Sequence, residues 1–338
     1  MSLLLGSLLA VAAPSLAASP TSPIGSAILV PGTSNLFGVA CANSNSCYAV
    51  GIGASSGAVV PIISGHIGGV ESVQGTISIS AIACSSGSTT CYTVGYQASG
   101  TQPVGFLLPI INGQIGTVVL VQGIAQFFGI TCPSSTICFA TGSTPSHVGA
   151  VVRITNGTPG AVQAVVGTSG LSSVACSDSS HCYAVGGGFG PPGLYVPIIN
   201  GMVGAAAGIP GTNFLHGIAC ANGTTCYIVG NNTSGSAGVV VPLVSGTPGP
   251  VQTVAGSGGL FDVACPSGSV CVAAGQNTSN PGSGLLVAIT NGKAGNAHLV
   301  SGTQSLYAIG CSTSSQCAAV GAAPVGLFQT EGVVVPIH

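Results

Sequence analysis

The sequence predicts an all-β fold: a seven-bladed β-propeller with four-stranded blades, one disulfide within each blade, and an N-terminal strand completing the last blade. Three observations lead there. The fourteen cysteines fall into seven local pairs, Cys41/Cys47, Cys84/Cys91, Cys132/Cys138, Cys176/Cys182, Cys220/Cys226, Cys265/Cys271 and Cys311/Cys317. First cysteines lie 43, 48, 44, 44, 45 and 46 residues apart, a period that suits blades of four short strands. The chain also opens on IGSAILVPGT (24–33), which superposes on IGTVVLVQG (115–123), an outermost strand, and it stops at VVVPIH where the seventh unit still lacks one.

Each unit reads as two hairpins. The first strand ends at the first cysteine, as in LFGVAC, and the second begins at the other, as in CYAVG. The third is the VVPI-type run, closed by Ser64-Gly65, Asn112-Gly113, Asn156-Gly157, Asn200-Gly201, Ser245-Gly246 or Asn291-Gly292. Asn-Gly accepts the two positive φ values of a type I′ turn, so these pairs mark tight hairpins. The fourth strand follows as VVLVQG or VQTVAG, and a Gly-Thr linker leads onward. Pro61, Pro109, Pro197, Pro242 and Pro336 lie inside third strands, where a proline removes a ladder donor. Either a bulge accommodates them or the pairing starts beyond them.

Cysteine pairs could also hold zinc, but zinc sites favour two to four intervening residues and need two pairs to converge. Here five or six intervene and each unit has one pair, which favours disulfides. Closing so short a loop contributes about 2 kcal/mol in the chain-entropy model. Residues 1–17 have the form of a secretory signal, with an apolar run Leu3–Ala13, Pro14 and a small-residue site at Ser15-Leu16-Ala17, though no Lys or Arg precedes Arg153. The run is too short for a membrane span, and a buried N-terminal element is the competing reading. The expectation is a secreted protein in an oxidising compartment, with residues 18–338 forming one propeller.

Charged residues make up 2% of the chain: Arg153, Lys293, Glu71, Asp178, Asp262 and Glu331. So few cations exclude a nucleic-acid partner. A hydrophobic share of 46% argues against disorder. A surface with so little charge lacks the repulsion that keeps copies apart, so homo-assembly into a layer or matrix is expected. With four acidic side chains in all, stability is expected to be nearly flat from about pH 2 to 7.

The pattern L-x-G-V-A-C-x5-C-Y-A-V-G, followed by a short strand and an N-G turn, resembles the Cys-paired propeller repeats of secreted bacterial proteins, especially of actinobacteria. Members of that family often have tryptophans beside the N-G turn, and this chain has no tryptophan. Some accompany hydrolase domains and others stand alone, so the resemblance implies fold more than activity. A bacterial source would make the sequons at Asn156, Asn222, Asn231, Asn232 and Asn277 incidental. The S-x-D-x-G-x-T-W box of sialidase-like propellers and integrin-type calcium loops are absent.

No catalytic constellation emerges, and no enzyme, metal or cofactor is expected. Sialidase-type recognition needs several arginines, and Arg153 stands alone; glycosidase chemistry needs two facing carboxylates. Asp262 is the odd residue of a column otherwise filled by Gly38, Ala81, Gly129, Ser173, Gly217 and Ala308. It is either a polar point in the central channel or an acceptor for neighbouring backbone. His216 shares the next column with Phe37, Ser80, Phe128, Ser172, Phe261 and Tyr307, which reads as packing. The loops between second and third strands vary most, and binding tends to live on such loops. Tyr96, Phe189, Asn231, Asn232, Gln276 and Asn277 are the side chains there suited to a neutral partner such as a glycan or protein. The leading expectation is a non-catalytic extracellular binding or surface-structural protein. A lectin-like glycan binder comes next, then a hydrolase or lyase using Asp262.

Overall fold

A computed structural model describes residues 24–338, apart from 86–87, 101, 279–281, 314–315 and 327–328. The signal-like segment 1–17 lies outside the described residues. Seven antiparallel sheets form seven blades. Their inner strands are Thr33–Asn43, Ser78–Cys84, Gln126–Thr131, Gly170–Cys176, Thr212–Cys220, Gly259–Ala264 and Ser305–Thr313. Each inner strand touches the next, and the seventh touches the first, so the ring is closed. No helix among the described residues is long and apolar enough to cross a membrane.

Closure uses the N-terminal strand. Ile28, Leu29 and Val30 pair with Val334, Val333 and Gly332 as the outer strand of blade 7, and Ile24 bridges Ile337. Thr33 adds a polar latch: its Oγ1 donates to Val30 O at 2.7 Å and accepts from Gly332 N at 3.1 Å. Thr76, Thr212 and Ser257 repeat that latch in blades 1, 4 and 5. This is why a Gly-Thr or Gly-Ser linker follows the outer strand there: a hydroxyl satisfies the buried N–H of the glycine that opens the third strand.

All seven cysteine pairs are disulfides bridging the first and second strands of one blade. The core is distributed as seven apolar clusters, one at each junction between blades. Cys91, Cys138, Cys182, Cys226 and Cys271 are at most 2% exposed, and each is a member of one of these clusters, so they are core side chains as well as cross-links. The physical reason is their place at the start of the second strand, which inner and third strands flank and neighbouring blades cover on both faces. A half-cystine there is a small apolar group like the Val and Ile beside it. Cys47 and Cys317, the corresponding cysteines of blades 1 and 7, are only partly buried against their clusters.

The tight turns have the φ signs their sequences demand, with Asn112 at 51° and Gly113 at 80°, and Asn200 at 52° and Gly201 at 78°. Each blade is hydrophobic on both faces, and this explains the almost unbroken apolar runs such as Gly57–Ile63.

The proline question resolves to a bulge in the neighbouring strand. Pro61 keeps its register with Tyr48 on the second strand, while the outer strand breaks into His66–Ile67 and Glu71–Val73. Pro61 O still accepts from Gly68 N at 2.8 Å on that side, so the ring nitrogen also faces the gap, where no donor is missed. Gly68 must be small, since a Cβ there would lie 2.9 Å from Pro61 Cγ. Arg153 and Ala288 stand at this position in blades 3 and 6, where the register slips at the same point but the outer strands Thr158–Ala164 and Lys293–Val300 remain single elements.

Candidate functional site

Every inner strand carries one residue more than its partner at the same point. The register slips between Leu36 and Gly38, Ile79 and Ala81, Phe127 and Gly129, Leu171 and Ser173, Leu215 and Gly217, Leu260 and Asp262, and Leu306 and Ala308. The extra residues are Phe37, Ser80, Phe128, Ser172, His216, Phe261 and Tyr307, and all seven line one cavity of about 140 Å³ in the central channel. A β-bulge re-aims a side chain, and seven in register turn a whole column toward the axis. The glycine ending each C-Y-A-V-G run makes room. A Cβ on Gly51, Gly95, Gly142, Gly186, Gly230, Gly275 or Gly321 would collide with the carbonyl oxygen two residues before its bulged residue.

The ring is uneven. Phe37 and Tyr307 have centroids 5.4 Å apart, Tyr307 and Phe261 5.8 Å, Phe261 and His216 5.4 Å edge-on, and His216 and Phe214 5.0 Å. These five rings make a continuous aromatic arc across blades 5, 6, 7 and 1, at separations where ring pairs attract. The other side holds Ser80 and Ser172 with Phe128 between them.

His216 is oriented from the second strand of its own blade, Thr225–Asn232. Asn231 donates through Nδ2 to Gly258 O at 2.9 Å, which turns its Oδ1 to His216 Nε2 at 2.7 Å. The imidazole Nε2 therefore carries the hydrogen, and Nδ1 of the neutral ring is an acceptor. Burial lowers the His216 pKa from 6.5, against a smaller opposing pull from Asn231.

Asp262 stands where this cavity meets a second of about 520 Å³ that opens toward the disulfide face. Its column is small because the next inner strand presses on it: a Cβ on Gly217 would lie 2.7 Å from Asp262 Cα, and one on Gly129 2.9 Å from Ser173 Cα. Asp262 Oδ2 accepts from Ile309 N of blade 7 at 3.0 Å. Burial pushes the carboxyl up from 3.8 to about 7, although backbone N–H groups of Ile309 and Val263 pull it down. Asp262 is thus a channel-lining group that also accepts from neighbouring backbone.

Of the residues expected on loops, Tyr96, Asn231, Asn232 and Gln276 lie instead in second strands, whose pairing runs further than the sequence suggested, while Phe189 and Asn277 lie between strands. Phe189 is 85% exposed, and Tyr96 is half-buried in register with Ser78. Asn232 Oδ1 accepts from Ser236 N at 2.9 Å and from Ala237 N at 3.2 Å, stapling the loop that follows it. Gln276 Oε1 accepts from Ser305 Oγ at 2.6 Å, joining blades 6 and 7. Asn277 is buried, with Oδ1 accepting from Ser283 N at 2.8 Å. Among the described residues no group of three or more His, Cys, Asp or Glu could hold a metal.

The sequence reading placed the seven-membered column in the inner strands but missed that it turns into the channel as an aromatic arc. The glycine column opposite it was the available signal.

No family model and no curated protein matches this chain. Solved propellers do. A YCF48 structure bound to D1 peptide matches with TM-score 0.61 and 14% identity over 96% of this chain and 97% of its own. The WD40 propeller domain of Doa1 gives 0.62 and 10% over 92% and 96%. Hydrazine synthase of Kuenenia stuttgartiensis gives 0.65 and 12% over 86% and 92%. Identities this low establish the fold that the chain shares with them.

Proposed function

We propose that this protein is a non-catalytic binding propeller of an oxidising extracellular setting, receiving an uncharged, partly apolar peptide segment at the channel mouth. The observation that carries this is the arc of Phe214, His216, Phe261, Tyr307 and Phe37, which five residues of four blades hold in one contact chain. Aromatic rings give large contact area at low ordering cost, and the facing hydroxyls of Ser80 and Ser172 can hydrogen-bond an unpaired backbone. The charge pattern argues for binding over chemistry. Among the described residues Asp262 is the one carboxylate lining the channel, while Glu71 lies in an outer strand, Asp178 in a disulfide loop and Glu331 in a third strand. Seven disulfides suit an oxidising compartment. The peptide-bound propeller among the similar structures supports a peptide over a glycan. The test is to probe peptide and glycan arrays with the native protein and with a Phe261→Ala/Tyr307→Ala variant. Peptide hits that weaken at least tenfold in the variant are expected. Hits confined to glycans, or indifferent to both substitutions, would contradict the reading.

Assembly between copies is the second reading, favoured by aliphatic side chains at the outer rim of the disulfide face. Ile63, Ile111, Ile199 and Val244 each precede a tight turn there and are 36% to 49% exposed, with Met202 at 76%. Neutral surface of this kind approaches its like at small desolvation cost. Sedimentation at micromolar concentration from about pH 2 to 7 should show salt-insensitive association. A single monomeric species throughout would exclude it.

A further inference from the structure

The second residue of the C-Y-A-V-G run has one task at most junctions. A Cβ on Gly113 would lie 3.3 Å from Tyr48 Oη, one on Gly157 3.0 Å from Tyr92 Oη, one on Gly246 3.0 Å from Tyr183 Oη, and one on Gly292 3.4 Å from Tyr227 Oη. In each case the tyrosine of one blade reaches under the tight turn of the next and fills the space between them. Tyr48, Tyr183 and Tyr227 are each 6% exposed there. Blade 3 places Phe139 at this position, 3% exposed.

Blades 6 and 7 break the pattern: blade 6 has Val272 at this position, packed against the core between blades 6 and 7, and blade 7 has a smaller residue still. The blade 7 run reads C-A-A-V-G, so Ala318 stands where the tyrosine would be, while blade 1 still presents the turn Ser64-Gly65. A cavity of about 330 Å³ lies between them, and its lining includes Ala318 together with Ser64 and Gly65. Ile28, Ile62, Ile67 and Val334 supply apolar walls. Polar groups also line it, among them Asn45 and Gln316. The volume falls in the range of small-molecule sites, which combine apolar walls with a few placed polar groups.

We propose that the junction of blades 7 and 1 is an open tyrosine slot that binds a small phenolic molecule, its ring between Ala318 and the apolar walls and its hydroxyl at the Ser64-Gly65 turn. The sister junctions fix the ligand chemistry, because the same scaffold accepts a para-alkylated phenol as its own side chain at four of them. The small source is argued by enclosure, since both blades and Ile28 of the inserted strand wall the cavity. The site is separate from the channel mouth and independent of its assignment.

The direct probe is p-cresol, the tyrosine side chain as a free molecule, titrated into the native protein by NMR or calorimetry. Saturable one-site binding with a dissociation constant on the order of 1 mM or tighter is expected for so small a ligand. Ala318→Tyr should abolish it and raise the melting temperature. Tyr227→Ala, which opens a second slot in the same ring, should raise the stoichiometry to two, and this arm reads out even if Ala318→Tyr fails to fold. Absence of saturable binding to the native protein, or binding unchanged by Ala318→Tyr, would overturn the proposal. Tighter binding of N-acetyltyrosinamide than of p-cresol would overturn the small-molecule source.

Discussion

Asp262 sets a pH dependence that the composition did not foretell. Below about pH 3.8 its carboxyl is protonated in folded and unfolded chains alike. Between about pH 4 and 7 the unfolded chain releases the proton that the folded one keeps, so this group's contribution to stability falls as pH rises through that window and is constant above it. His216 acts in the opposite sense, since its lowered pKa makes acidification below about 6.5 costly to the fold. Asp178, whose carboxylate is lowered mainly by the bond from Ser180 N, adds a small loss at still lower pH. The near-flat profile expected from few carboxylates thus becomes a balance of opposed slopes. Asp262→Asn should tip it. The melting temperature of the variant relative to native should rise by roughly 2–5 °C between pH 4 and 7.5, the lower end reflecting channel water that screens the charge. Scanning calorimetry of both proteins at several pH values checks this, and a difference that does not vary with pH would remove Asp262 from the account.

At the scale of the blade, the cysteine columns and tight turns were legible because both rest on short-range chemistry repeated at one period. The burial of Cys91, Cys138, Cys182, Cys226 and Cys271 was not, because it comes from the next blade packing over the second strand. The break opposite each third-strand proline could be narrowed to two options but not resolved. It depends on which side of the strand the missing donor faces, and that is set by pairing across the blade. The bulge was invisible for a different reason: every repeat carries the extra residue, so aligning the repeats shows no insertion. Its signature is indirect, a glycine at the same place in seven second strands. Gly230 lies opposite the strand that carries His216, and a Cβ there would collide with Phe214 O. Gly230→Ala should therefore cost about 3 kcal/mol, as overpacking against backbone does, whereas Gly69→Ala meets nothing within 4 Å and should be close to neutral. Denaturant melts of the two variants make the comparison, and equal stabilities would mean that the bulge does not need its glycine.

Across the whole molecule, ring closure was readable from the displaced outer strand at 24–33, since a strand without a blade at one end and a blade without a strand at the other have one economical solution. The channel mouth was not readable, because its arc joins Phe37 to Tyr307, residues far apart in sequence that meet when the ring closes. Sequence reasoning looked instead to the variable loops, and Tyr96 and Phe189 remain the side chains through which a loop-based site would act. The two locations separate in a single experiment: binding of the strongest array ligand measured for native protein, for Phe261→Ala/Tyr307→Ala and for Tyr96→Ala/Phe189→Ala, with melting temperatures taken alongside. A mouth site requires the first variant to lose at least tenfold in affinity while still folded and the second to stay within about twofold of native, roughly 1.4 against 0.4 kcal/mol. Loss confined to the loop variant would contradict the central claim.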